Sequence, residues 1–253
     1  MDLAAIKEKL AGYRRPVYFP QAPICDFEPD RSKFAGVPWI DAANPWPACG
    51  YCGTPIQLFL QLNLSSLPLT IPGWPQCGFV QIFYCITPET YCEQRGEDAF
   101  SPFGKFLCAR LIDPTDRCEL PEEYPRWNNL QARTIYGWVA SEDYPSDTEP
   151  EVLAPGLLSE PEADLLFEAV KETQLTALRD IGITNRVDKL CGWPSWVQGF
   201  RPPRCPQCDT RMEYVFQLRS QGNLAYQFVD CGIAHLYRCP SHPRVLGYKW
   251  TGS

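Results

Sequence analysis

Two tight turns in the second half of the chain carry the residues best suited to chemistry. Cys205-Pro206-Gln207-Cys208 offers two thiols, and Cys239-Pro240-Ser241-His242 adds a third thiol and an imidazole across the same two-residue gap. Three thiolates and one imidazole are the donor set of a tetrahedral zinc ion, and a full set of four leaves no position open for water or substrate. The spacing therefore predicts a structural zinc site at Cys205, Cys208, Cys239 and His242. The first half offers Cys49-Gly50-Tyr51-Cys52 with Cys85, but Pro88 stands where the second half has His242. Cys92, seven residues beyond Cys85, is then the best fourth ligand of a second zinc site. Cys77 and Cys231 each lie eight residues before the next cysteine of their half. Along a strand rising ~3.3 Å per residue that is roughly 26 Å, too far to share an ion, so both are read as core cysteines. Cys25, Cys108, Cys118 and Cys191 have no partner at ligand spacing and are read as buried thiols.

The elements that must hold these ligands also come in two copies. Lys33-Phe34-Ala35-Gly36-Val37-Pro38 stands sixteen residues ahead of Cys49, and Lys189-Leu190-Cys191-Gly192-Trp193-Pro194 stands sixteen ahead of Cys205. Each Cys pair is followed by an apolar run with glutamine in the same place, Gln61 or Gln217. Cys77 to Cys85 is then answered by Cys231 to Cys239, two residues out of register. Such self-similarity predicts an internally duplicated, two-lobed, strand-rich α+β fold with antiparallel sheets and zinc-ribbon-like Cys turns. The expected organisation is an N-terminal lobe over 1–112 with its repeat core at 33–92, an acidic connecting segment over 113–188, and a C-terminal lobe over 189–253, packed as one compact unit.

Alternation of Ile56, Leu58, Leu60 and Leu62 with Gln57, Phe59, Gln61 and Asn63 predicts a strand with one buried face. Further strands are expected at 79–84, 106–112 and 132–139, the last running into an acidic loop at 141–145. Residues 15–23 read as an extended, proline-punctuated lead-in after a short amphipathic helix. Ser159 as cap, Pro161 in the first turn and the acidic Glu162 and Asp164 predict a helix with a stripe of Leu165, Leu166, Ala169, Val170 and Thr173, ending near Gly182.

Composition narrows the classes. The chain has 253 residues, 45% of them hydrophobic, with 13 cysteines and 26 prolines. That much proline favours short strands and ordered turns. The N-terminus lacks the apolar stretch of a signal peptide, and no apolar run approaches the ~20 residues of a membrane span. A cytoplasmic protein is expected, in which paired cysteines mean metal more often than disulfide. The net charge is −7, concentrated between Asp113 and Glu168, where fourteen acidic residues face three arginines. An acidic segment of this kind opposes a nucleic-acid footprint and suits a basic partner.

No nucleophile, base or metallohydrolase motif is present, and His235 reads as a satisfied core histidine. What recurs is polar and aromatic decoration. Gln61 and Gln217 fall on the less apolar faces of equivalent strands, and Trp39 and Trp196 follow the two Gly-x-Pro turns. Across an inter-lobe cleft these four could hold an extended peptide, with Glu142 and Asp143 drawing in its basic groups; alternatively the glutamines satisfy local backbone and the tryptophans plug the core. The expected partner is a protein with a basic or extended segment, bound in a chaperone-like or protein-neutralising role. The rivals are a hydrolase or nuclease, and a zinc-ribbon nucleic-acid binder.

Ser32 to Trp39, Pro55 to Leu64, Val80 to Cys85, Ser101-Pro102-Phe103, Asp143 to Ser146, Lys189 to Pro194, and the ending from Cys239 to Pro243 and Gly247 to Trp250 resemble the YwqG-like family of bacterial proteins of unknown function. A more distant similarity links both halves to the programmed cell death protein 2 group. The resemblance implies a duplicated, strand-rich α+β fold with zinc-containing members. The eukaryotic group is associated with carrying a nascent ribosomal protein, an analogy of fold that does not itself transfer function. Ala35 and Cys191 depart from the family's usual glycine pair.

Overall fold

Eleven strands and two helices are present in the computed structural model, which describes residues 3–23, 28–86, 101–114, 118, 130–145, 157–171, 186–199 and 201–252. Two antiparallel sheets form the body. The first runs β5(Leu107–Ile112), β4(Phe79–Tyr84), β3(Gln57–Asn63), β2(Lys33–Phe34) and β6(Arg133–Thr134) in spatial order. The second runs β11(Leu246–Thr251), β10(Ile233–Arg238), β9(Glu213–Arg219), β8(Lys189–Cys191), β1(Arg15–Gln21) and β7(Gly137–Asp143).

Strands β2 to β5 of the first sheet and β8 to β11 of the second share order and register. Lys33 pairs with Gln61 and Phe34 with Leu60, while Lys189 pairs with Gln217 and Leu190 with Phe216. The ladders slip at the same place, skipping Phe59 in β3 and Val215 in β9. Ahead of each long strand a left-handed pair turns the chain, Ala35 and Gly36 at φ 54° and 77°, Cys191 and Gly192 at 61° and 77°. A Cβ on Gly192 would come 2.5 Å from Asp143 Oδ2, so this position needs glycine for space as well as for φ.

Chain segments and sheets do not coincide. The proline-rich lead-in forms β1, which leaves the N-terminal lobe to pair with β8 and β7 in the second sheet. β6, from the connecting segment, completes the first sheet against β2. The acidic loop expected at 141–145 is instead the end of β7, whose ladder with β1 continues to Asp143.

Side-chain alternation decides which faces meet. Phe34, beside Leu60, reaches Phe216 of the other sheet at 6.2 Å between ring centroids. Phe59 meets Phe228 at 6.0 Å and Tyr84 meets Tyr248 at 6.3 Å, while the Trp250 indole N–H donates to the Tyr84 hydroxyl at 2.9 Å. One continuous core fills the space between the sheets. Burial of this apolar surface is the main stabilising term.

The helices form a smaller cluster. α1(Leu3–Lys9) packs Ile6, with Leu10 beyond its end, against Leu166 of α2(Glu160–Lys171), Tyr144 and Trp193. Ser159 caps α2 by donating its backbone N–H and its hydroxyl to the Glu162 carboxylate, both at 2.8 Å, and Lys9 adds an ion pair at 2.7 Å. The expected continuation of this helix to Gly182 lies outside the described residues, as do the side chains of Ala169 and Val170. Among the described residues no helix is long and apolar enough to cross a membrane.

Candidate metal centres

Each Cys-x-x-Cys sits on a backbone knuckle built by the same bonds. Cys49 N–H donates to Thr54 O at 2.8 Å and Gly53 N–H to Cys49 O at 2.9 Å; Cys205 N–H donates to Thr210 O and Asp209 N–H to Cys205 O, both at 2.9 Å. The chain leaves each knuckle through a left-handed residue, Gly53 or Asp209. Amide groups of Tyr51 and Gln207 point at the first sulfur of each pair, at 3.5 and 3.4 Å. The third cysteine follows the next strand, where Cys85 N–H is fixed by Phe106 O and Cys239 N–H by Val245 O.

These turns bring the ligand atoms of Cys205, Cys208, Cys239 and His242 within 4.8 Å of one another, and likewise those of Cys49, Cys52 and Cys85. Sulfur to sulfur, Cys208 and Cys239 stand 3.6 Å apart and Cys52 and Cys85 3.8 Å. The His242 Nδ1 lies 3.8 Å from the Cys205 sulfur and 3.7 Å from the Cys239 sulfur. A disulfide would need about 2.05 Å. Tetrahedral geometry with metal–sulfur bonds of about 2.3 Å instead requires sulfur atoms about 3.8 Å apart, and a histidine nitrogen about 3.6 Å from each sulfur. The spacing and the soft donor set fit a metal ion in both clusters. Two bonds from Thr210, through its side chain and its backbone, bring the Cys208 thiol down to about 6, so it is largely thiolate near neutral pH. Cys92, the expected fourth ligand of the first cluster, lies outside the described residues, as does Cys25.

The His242 turn also joins the sheets. Trp74, from the loop after β3, donates its indole N–H to Pro243 O at 3.0 Å, and Arg244 reaches Leu111 O and pairs with Asp113. Whatever orders Cys239 to His242 thus orders a contact with the first sheet.

Several of the other sequence expectations need correction. Gln61 and Gln217 do not face one another across a cleft. Both are fully buried on the outer faces of their sheets, because the neighbouring Leu60 and Phe216 take the inward positions of the alternation. Gln61 Oε1 accepts from Trp39 N–H at 2.8 Å and its Nε2 donates to Pro29 O and Arg31 O at 2.7 and 2.8 Å. Gln217 repeats this with Ser195 N–H and Val187 O, both at 2.8 Å. The glutamines pin the strap that follows each Gly-x-Pro turn to the back of its sheet. Trp39 stacks on Phe79 at 5.3 Å and Trp196 packs against His235 at 5.2 Å, each half-buried.

Asp143 is buried and holds Lys189 Nζ and Trp193 N–H, both at 2.8 Å on Oδ2, so it is no surface contact. Glu142 is exposed and paired with Arg14 at 2.9 Å. Cys77 and Cys231 are exposed in turns before β4 and β10, where the sequence reading placed them in the core; Cys108, Cys118 and Cys191 are half-buried. His235 Nε2 lies 3.2 Å from Gln217 Oε1, and burial, with the charge of Lys189 beside it, pushes its pKa down to about 3. It stays neutral near pH 7 with its ring committed to structure. The buried pair of Lys189 with Asp143 was missed in the sequence, since 46 residues separate the partners and neither carries a local signature.

Comparison with known proteins gives a relative and a family. The chain is 24% identical over 231 residues to the protein named Uncharacterized protein YpfL of Salmonella typhimurium, an alignment covering 91% of this chain. It spans only 44% of that relative's length. Residues 32–238, which run from the buried Ser32 through both knuckles to the end of β10, match the family described as Domain of unknown function (DUF1963), and the chain belongs to that family.

Proposed function

We propose that this protein is a zinc-stapled binding protein without a catalytic centre of its own, holding an extended, basic protein segment. The observation that carries the reading is the closed donor set of Cys205, Cys208, Cys239 and His242. Four protein ligands leave zinc no position for a reacting water, and small lobes of this kind gain folding stability from metal. Shared strand order, ladder slip, knuckle and glutamine support descent of the two sheets from one duplicated unit, in keeping with the resemblance to the YwqG-like group.

With the space between the sheets filled by core, the surface that suits an extended segment is β7. Among the described residues nothing pairs with its outer side, and residues 139–142 are exposed. An extended chain adds to such an edge through backbone bonds. Glu142 and the acidic stretch from Asp113 to Glu168 supply negative charge for a basic segment. Fluorescence anisotropy with a labelled, alternating Lys-Val peptide tests this on metal-loaded protein. Binding should weaken several-fold for Glu142→Lys and with added salt, because the Debye length falls from about 10 Å at 0.1 M to about 3 Å at 1 M. Equal affinity for a neutral peptide, or no binding at millimolar peptide, would sink the proposal.

A further inference from the structure

The two sheets differ where the strap returns to the knuckle. In the first, Trp46 of the strap lies on Phe83, with ring centroids 6.3 Å apart, and donates its indole N–H to Ile56 O at 2.8 Å. The next residue fixes the register: Ile56 N–H donates to Pro47 O at 3.0 Å, and its counterpart Met212 N–H donates to Pro203 O at 2.9 Å. Trp46 therefore corresponds to Pro202, Phe83 to Tyr237 and Ile56 to Met212. A ring system of nine heavy atoms is missing from the second sheet.

The space it would fill is a cavity of about 420 Å³, lined by Pro202, Met212 and Tyr237 together with Trp193, Trp196 and Tyr214. Its size and its aromatic walls suit a small ligand. Arg15 and Arg211 also line it, Arg15 with its guanidinium 3.3 Å from the centre of the Trp193 ring. Glu213, the carboxylate among the described residues of the wall, is paired with Arg238. Two guanidinium groups thus stand on the wall of the cavity among the described residues.

We propose that this cavity binds a flat, bicyclic heteroaromatic anion, its ring taking the place that Trp46 holds in the first sheet and its acidic group meeting Arg15 and Arg211. A ring N–H aimed at the Met212 carbonyl would reproduce the Trp46 bond to Ile56. Aromatic walls and guanidinium groups recognise such a ligand by stacking and by charge-assisted bonds. The chemistry is common to indole carboxylates and purine nucleoside monophosphates. The inference rests on the cavity alone and is independent of peptide binding at β7.

Calorimetric titration of the metal-loaded full chain tests it with indole-3-acetate and guanosine monophosphate, each against its neutral analogue, indole or guanosine. Quenching of tryptophan fluorescence gives a second readout, since Trp193 and Trp196 line the cavity. One anionic probe should bind with its neutral analogue about tenfold weaker or worse, and which one binds decides between the two sources. Pro202→Trp should abolish binding by placing an indole in the cavity. Arg211→Gln, at an exposed position, should weaken the anionic probe about tenfold and leave the neutral one unchanged. Failure of both anions to bind at millimolar concentration overturns the proposal, as does undiminished binding by a folded Pro202→Trp protein. Equal affinity for charged and neutral probes would overturn the assigned role of the arginines.

Discussion

Replacing Asp143 by alanine removes the carboxylate that holds Lys189 Nζ and Trp193 N–H, both at 2.8 Å, where the side chains of the ion pair are each 1% exposed. Breaking a buried pair from one side costs about 3–5 kcal/mol, because the remaining charge cannot return to water. The amide that loses its acceptor adds about 1–3 kcal/mol, although the two losses share one site and will not sum fully. A total of about 4–6 kcal/mol is expected. With an unfolding entropy of about 2.1 cal/mol/K per residue, a chain of this length loses about 2 °C per kcal/mol, so the melting temperature should fall by ~8–12 °C. Differential scanning calorimetry of metal-loaded protein at one scan rate measures it. The double replacement Asp143→Leu with Lys189→Met should recover most of the loss, since apolar side chains of similar volume commonly substitute for a buried ion pair at little cost. An Asp143→Ala protein melting within about 2 °C of the parent would refute the reasoning, because so small a loss is about 1 kcal/mol on this scale.

Cys208→Ser should lower the metal content and the melting temperature together, and a protein that keeps both would show that Cys208 is no ligand. The Glu162 carboxylate is held down to about 2 by its bonds from Lys9 and Ser159. Its contribution should be complete above the ordinary carboxylate value of about 4.3 and fade as pH falls toward 2. The melting-temperature gap between parent and Lys9→Met should therefore narrow over that window, and a gap independent of pH would contradict the assignment. Gln217→Ala strands the Ser195 amide beneath the strap and should cost about 1–3 kcal/mol by urea unfolding, with Gln61→Ala costing a similar amount through Trp39. If both variants match the parent in stability, the glutamines do not pin the straps.

Spacing carried most of what was legible in the sequence. Sixteen residues separate Lys33 from Cys49 and Lys189 from Cys205, and that spacing survives because each strap must cross the back of a sheet and return to a knuckle. The ligand turns were equally legible, since a two-residue gap closes a local loop. Faces were not. β3 and β9 are buried on both sides, so period-two alternation marks a strand without saying which side meets the other sheet, and the glutamines were assigned to a cleft that the core occupies. Cys77 and Cys231 were placed on strands that begin two residues later, at Phe79 and Ile233. The passage of β1 into the second sheet and the pairing of Asp143 with Lys189 are long-range choices with no local pattern. Correspondence between the sheets is also what makes Pro202 conspicuous, because its partner Trp46 fills the equivalent place in the first sheet.

The most direct test is elemental analysis by plasma mass spectrometry of protein purified without added metal or chelator. The account predicts two zinc ions per chain, one held by Cys205, Cys208, Cys239 and His242 and one by Cys49, Cys52 and Cys85, with Cys92 as the proposed fourth ligand. Less than one zinc per chain, or disulfides among these cysteines, would contradict it.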